Sequence, residues 1–251
     1  MSMKARSQAS SLATEAYAYI RERIIRGDIA IGQVISRRKI AADLGVSFLP
    51  VSEAFLRLEF EGLLESRPRA GTRVRIPTRA DIEGHYVVRE GLEVQAARLF
   101  AERATPEARI EILKLAQRVD ALAALPDTDR FVHLSTHEKL HRRIAECAQC
   151  PILSDTIDKT CALSSTWMCS GREMQGNRPR SSHVYLAETL VKGDPEAAAV
   201  AMREHIRISK ESAMERLKPY FELAERQTQR YSRTATVRPL VAPTKPDARV
   251  S

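Results

Sequence analysis

The sequence predicts a mainly α-helical chain in two parts. Three helices and a β-hairpin occupy residues 11–77, and an antiparallel bundle of six to seven helices follows over 78–225. Three observations carry that expectation. Apolar residues recur at helical spacing through most of the chain, strand-like alternation is confined to the runs LLESR and TRVRI, and Gly, Pro and capping residues cut the rest into helix-length pieces.

Leu12, Ala16, Tyr19, Ile20 and Ile24 line one face of a first helix over Ser11–Arg26, which Gly27 closes. The stretch DIAIGQVI reads as a turn. Ser36 is an N-cap for SRRKIAADL, and Gly45 ends that helix. After a short turn Ser47 opens a third helix through about Glu61, with Val51, Ala54, Phe55 and Leu58 facing inward. PRAG joins LLESR to TRVRI as a small antiparallel hairpin. Three helices followed by a hairpin match a winged helix-turn-helix, whereas a small ferredoxin-like or ribosomal fold would place strands before and between its helices.

Pro77-Thr78 marks the boundary to the second part. Helices are expected at about 80–103, 106–124, 128–149, 151–170, 180–192 and 195–225, broken most clearly at Thr105-Pro106, at GNRP (176–179) and at Gly193-Asp194-Pro195. Residues 1–10 read as a flexible N-terminus. From 226 the chain is rich in Pro, Arg and Thr with few apolar residues, which reads as a disordered basic tail.

Charge divides unevenly. Residues 1–77 hold 13 Lys+Arg against 8 Asp+Glu, residues 78–225 hold 21 against 23, and the tail holds 6 against 1. A basic first part beside a near-neutral second one places a phosphate-binding surface at the N-terminal end. No run of apolar residues is long enough to span a membrane, and MSMKARSQASS lacks the apolar stretch of a secretory signal, so the expected location is the cytoplasm, on the nucleoid. Four cysteines make no disulfide framework; Cys147 and Cys150 form a C-x-x-C without a second pair, and read as ordinary thiols.

Four of the six histidines form a constellation. His137 and His141 are one helical turn apart and share a face. His183 and His205 lie on the last two helices, which the Gly-Asp-Pro turn folds back on each other. Any one histidine is commonly a surface or core residue. Together they suit a divalent cation, zinc first, with nickel or manganese as alternatives. Arg89, with Glu93 four residues on, is either a helix ion pair or a clamp for a carboxylate. His133 and Trp167 read as structural. A histidine-bound zinc also begins a hydrolase, but that chemistry needs a placed general base. No HExxH is present, and Glu138 points off the shared face, so no enzyme is expected.

The segment IAADLGVSFLPVSEAFLRLEFEGLLESRPRAGTRV, with GDIAIGQVIS before it, resembles the winged helix of GntR-superfamily regulators. The second part resembles the FCD (FadR C-terminal) ligand domain, and its helix count is nearer the VanR-like branch. The resemblance implies a homodimeric regulator on a palindromic double-stranded operator, switched by a small carboxylate effector at a metal-containing site. It implies DNA contacts from Arg37, Arg38, Ser47, Phe48, Pro50 and Ser52, with Arg69 and Gly71 at the wing tip. Gly71 is alternatively only a turn glycine. Phe48 and Ser52 stand where the family commonly has arginines, so the expected operator differs from the common one. His141, His183 and His205 match the FCD metal ligands, and His137 stands where an Asp or Asn is usual.

Overall fold

In a computed structural model the described residues are 3–67, 70–125, 129–169 and 182–235, with side chains described over 12–67, 70–125, 131–160 and 182–226 and at Asp129. Helix α1 (Met3–Arg26) leads to strand β1 (Val34–Ile35), helices α2 (Arg37–Leu44) and α3 (Phe48–Phe60), and strands β2 (Leu64–Arg67) and β3 (Gly71–Val74). The chain then forms α4 (Arg79–Arg103), α5 (Pro106–Ala124), α6 (Arg130–Cys147), α7 (Pro151–Cys169), α8 (His183–Val191) and α9 (Pro195–Ala235). A winged helix-turn-helix followed by six helices is the architecture the sequence predicts. The GNRP break lies outside the described residues.

Local chemistry explains the turn between α2 and α3. Ser36 accepts from the Lys39 amide at the start of α2. Gly45, at φ +64°, donates its amide to the Ala41 and Ala42 carbonyls at the end. Ile20, Ile40, Val51, Phe55, Leu58 and Leu64 then close a core beneath the turn.

Three extents differ from the sequence reading. DIAIGQVI is not only a turn: Val34 and Ile35 pair with Arg73 and Thr72, making an antiparallel sheet of order β1-β3-β2. Two residues are too few to show a period of two. Helix α1 begins at Met3, inside the stretch taken as flexible, because MKARSQAS contains neither Gly nor Pro to stop it. Helix α9 runs to Ala235, past the expected start of the disordered tail and through Pro219, because no Gly interrupts it.

In the second domain Thr78 and Asp81 form a reciprocal capping box at the start of α4. α9 lies antiparallel to α4: Arg203 pairs with Glu90, Tyr86 Oη meets Ser209, and the Arg79 guanidinium lies over the Phe221 ring. α6 runs parallel to α4, from the Glu93–His141 contact to Arg103 donating to the Ala148 carbonyl. Phe100, Ile112, Leu140, Leu190 and Ile206 fill the space between these helices.

The domains also touch through α1 and α6. Ile25 packs on Leu134 and Phe131, Arg21 hydrogen-bonds Glu138, and Arg26 reaches Asp129 at 2.5 Å. No described helix is long and apolar enough to cross a membrane.

Candidate functional site

Helix α6 presents His137 and His141 inward, one turn apart, and both are buried. His183 is the first residue of α8, after the N-cap Ser182, and His205 is a buried residue of α9. The ligating nitrogens of these four lie within 4.8 Å of one another. His137 and His141 approach Nε2 to Nε2 at 3.2 Å. His133, a turn earlier, keeps its ring centroid 6.5 Å from that of His137 and is outside the converging set.

Two carboxylates aim the rings. Glu93 Oε2 sits 2.6 Å from His141 Nδ1, and Asp120 Oδ1 sits 2.6 Å from His183 Nδ1. An ionised carboxylate only accepts, so each Nδ1 carries a proton, and Nε2 is the nitrogen that holds the lone pair when such a ring is neutral. His183 Nε2 is buried and makes no hydrogen bond.

The electrostatics keep both parts of this arrangement in the required state. Burial would raise the Glu93 carboxyl, but Arg89 and His141 outweigh it and hold the acid well below the carboxylate range. Burial likewise opposes Asp120, yet His183 and the Val184 and His183 amides bring it to about 2. Burial first, then mutual repulsion among the rings and Arg89, pushes His137 and His205 well below the usual imidazole value. Burial also lowers His183, against the pull of Asp120. Neutral imidazoles are the form that binds a cation.

Arg89 is 2% exposed, with Nε donating to Glu93 Oε1 at 2.6 Å. Arg89, Glu93 and His141 therefore form a buried chain, not the solvated helix pair that spacing alone describes. Glu138 meets Arg21 of α1 instead of joining the rings. The sequence marked Glu93 only as a partner of Arg89. Asp120 carried no signal, since it lies in an ordinary helical run 63 residues from His183. Cys147 is buried and Cys150 partly so, both as free thiols. The side chain of Trp167 lies outside the described residues.

At the other end, Arg38, Ser47 and Phe48 are exposed around the helix-turn-helix, Phe48 by 55%, and Ser52 is partly so. The Ser52 hydroxyl donates to the Phe48 carbonyl at 3.0 Å. Two of the expected DNA contacts are engaged with the domain itself. Pro50 is buried in the first turn of α3. Arg37 stacks 4.6 Å over the Phe55 ring and donates to Glu59 at 3.1 Å, so it braces the domain. Gly71 is exposed at φ +78°, a conformation that favours glycine, and a β-carbon there would meet only Val34, at 3.6 Å. Arg69 lies outside the described residues.

Comparison with known proteins agrees with this division. Residues 12–74 match the family "Bacterial regulatory proteins, gntR family", and residues 85–208 match the FCD domain. The chain is 29% identical over 208 residues to the "Probable D-xylose utilization operon transcriptional repressor" of Paenarthrobacter nicotinovorans, spanning 78% of this chain and 86% of that one. It is 32% identical over 134 residues to the "Uncharacterized HTH-type transcriptional regulator in the TAR-I ttuE-ttuC' intergenic region" of Agrobacterium vitis, spanning 53% and 78%. Among solved structures, E. coli McbR/YncC shares the fold at a TM-score of 0.70 and 19% identity, over 81% of this chain and 97% of that one. Both of these sequence relatives are named as regulators of transcription. With a winged helix at one end and an FCD bundle at the other, the chain belongs to the GntR family of bacterial DNA-binding transcriptional regulators.

Proposed function

We propose that this regulator is a homodimeric repressor whose grip on a palindromic operator is set by a divalent cation and a small carboxylate effector in the bundle. The observation that carries the reading is the convergence of four buried imidazoles within 4.8 Å, two of them aimed by carboxylates. In tetrahedral zinc sites the nitrogens stand about 3.3 Å apart, close to the 3.2 Å between His137 and His141. His137, His141, His183 and His205 would hold the ion, with zinc favoured by an all-nitrogen donor set and nickel or manganese as alternatives. Such an ion supplies a positive centre to which an effector carboxylate can bind.

The chain's own residues would do the rest. Four neutral imidazoles leave the ion's charge in place, where an Asp at position 137 would have offset part of it. Arg89, held by Glu93 beside the rings, adds to a field that favours an anion and is the residue expected to meet the effector's carboxylate. Helix α6 carries His137 and His141 and, within the same two turns, the α1 contacts Leu134 and Glu138. A shift of α6 at the centre would thus reach the winged domain directly. A coupling of about 1–3 kcal/mol, roughly 5- to 150-fold in operator affinity, suffices for a switch.

Base reading falls to the exposed Phe48, Ser47, Ser52 and Arg38, with the wing tip at Arg69-Ala70-Gly71 in the minor groove. Phe48 against a thymine methyl in place of an arginine on guanine predicts an operator unlike the common family sequence. Repression is carried over from relatives such as the probable D-xylose operon repressor. Metal content per chain, followed by operator binding with and without chelator, tests the reading. One ion per chain and a chelator-sensitive affinity are expected. Metal-free protein from zinc-, nickel- and manganese-supplemented cultures, with unaltered DNA binding, would overturn it.

A further inference from the structure

The last helix is longer than the bundle needs. Because α9 is antiparallel to α4, its residue Phe221 lies beside Arg79, the first residue of α4, next to the link to the winged domain. Ala224 is the last buried residue of α9 among those described. The helix nevertheless continues to Ala235. The residues beyond Phe221 add about 21 Å of helix at the end of the bundle where the winged domain is attached.

Beyond Glu225 that extension has one sign of charge. Arg226, Arg230 and Arg233 fall at i, i+4 and i+7, on one stripe, and no Asp or Glu occurs from 226 to 246. Arg238, Lys245 and Arg249 follow, against Asp247 alone. Earlier in α9 acids answer the arginines: Arg207 is paired with Glu204 and Glu211, and Arg226, where the stripe begins, still meets Glu222. Arg230 and Arg233 have no acid three or four positions away in the sequence. The stripe also has too few apolar residues to pack on a protein surface. A polyanion is the partner that such a helix suits, and the adjoining domain already binds one.

We infer that the C-terminal helical extension is a second DNA contact, which lays Arg226, Arg230 and Arg233 along the phosphate backbone flanking the duplex held by the winged domain. It adds affinity without sequence preference, because phosphates carry no base information.

The full chain with Arg226→Gln, Arg230→Gln and Arg233→Gln tests this against the unsubstituted chain, on a selected operator and on a random-sequence duplex. Affinity is expected to fall by about tenfold on both duplexes alike, with the log–log salt dependence shallower by about 2 to 3 between roughly 50 and 200 mM. Replacing the same three arginines by lysine should retain binding, since a point charge serves a phosphate. Binding curves and salt slopes that coincide with those of the unsubstituted chain overturn the inference, including the case in which the arginines prove to bind anionic phospholipid vesicles. A chain ended after Glu225 is the second variant. A lowered melting midpoint in both variants would show that the stripe packs on the protein, and that also overturns it.

Discussion

The two ends of the molecule treat their polar residues in opposite ways. At the winged end Arg38, Ser47 and Phe48 are left in solvent, and the residues that brace them, Arg37 on Phe55 and Glu59 and Pro50 in the core, are satisfied within the domain. In the bundle the functional side chains are themselves buried, and Arg89, Glu93, His141 and the other three rings are held to one protonation pattern by contact with each other. The outer residues face solvent, whereas the inner site gathers four ring nitrogens within 4.8 Å among buried side chains, and burial of polar groups is costly unless something meets them. A ligand at the inner site should therefore change stability strongly, while changes at the outer site should alter DNA binding and leave folding almost untouched.

Removing the ion is the sharpest way to break that contrast. Ligand at a thousandfold above its Kd stabilises by about 4 kcal/mol, or about 10 °C for a chain of this size. Chelation should lower the melting midpoint by that order, and His141→Ala or His205→Ala should weaken metal binding at least tenfold and abolish most of the gain. His137→Ala decides whether the fourth imidazole ligates. Thermal melts that are indifferent to chelator, with His205→Ala equal to the parent, would remove the basis for the comparison.

The metal-free protein should also be acid-sensitive. His137, His183 and His205 are lowered by burial, as is His85, to about 4. The unfolded chain therefore takes up protons from about pH 6.5 downward that the folded chain refuses. Stability is then full above that pH and declines as the pH falls toward 4; Asp120 adds a second loss only as the pH drops below about 4 toward 2. Chelator-treated melts across this range measure it, and a flat profile would contradict the burial of neutral rings.

Asp120→Asn probes the carboxylate that aims His183. It should weaken metal binding by about 10- to 100-fold without deleting a ligand. Asp120 was invisible in the sequence because its role depends on a helix pairing across many residues, with no spacing to reveal it. His137 and His141 were legible because a helix places i and i+4 on one face. His183 and His205 were legible because the Gly-Asp-Pro turn fixes the return of the chain. The same logic accounts for the fold. Ser36, Gly45, Thr78 and Thr105 cap helices by chemistry local to themselves; Ser36 and Gly45 are legible as the ends of α2, and Thr78 and Thr105 as a boundary and a break beside α4 and α5. The missed features, β1 and the full lengths of α1 and α9, depend on a distant strand or on the absence of any stop signal.

At the outer site, Arg38→Gln should cost about 1–3 kcal/mol of DNA binding with no change in melting midpoint. Arg37→Gln should do the reverse, since it removes a stacked and paired side chain from the domain's interior edge. Equal loss of DNA binding in both would restore Arg37 to the interface and weaken the distinction between readers and braces.

The smallest effect tests whether the two ends communicate through the contact of α1 with α6. Arg21 and Glu138 are each mostly buried, but neither is fully desolvated, so Arg21→Gln or Glu138→Gln should cost about 1 kcal/mol or less in stability. Glu138 follows His137 directly, yet it points to α1, so its loss should leave metal affinity within about twofold. The difference in operator affinity between metal-loaded and chelated protein is the quantity that should change, by up to about fivefold, which corresponds to about 1 kcal/mol. In a double-mutant cycle the pair should show most of that change once, in either single variant, and little more when both are changed. If each variant preserves the full metal-dependent difference, the centre reaches the winged domain by another path, and the contact of Ile25 with Leu134 becomes the next to alter.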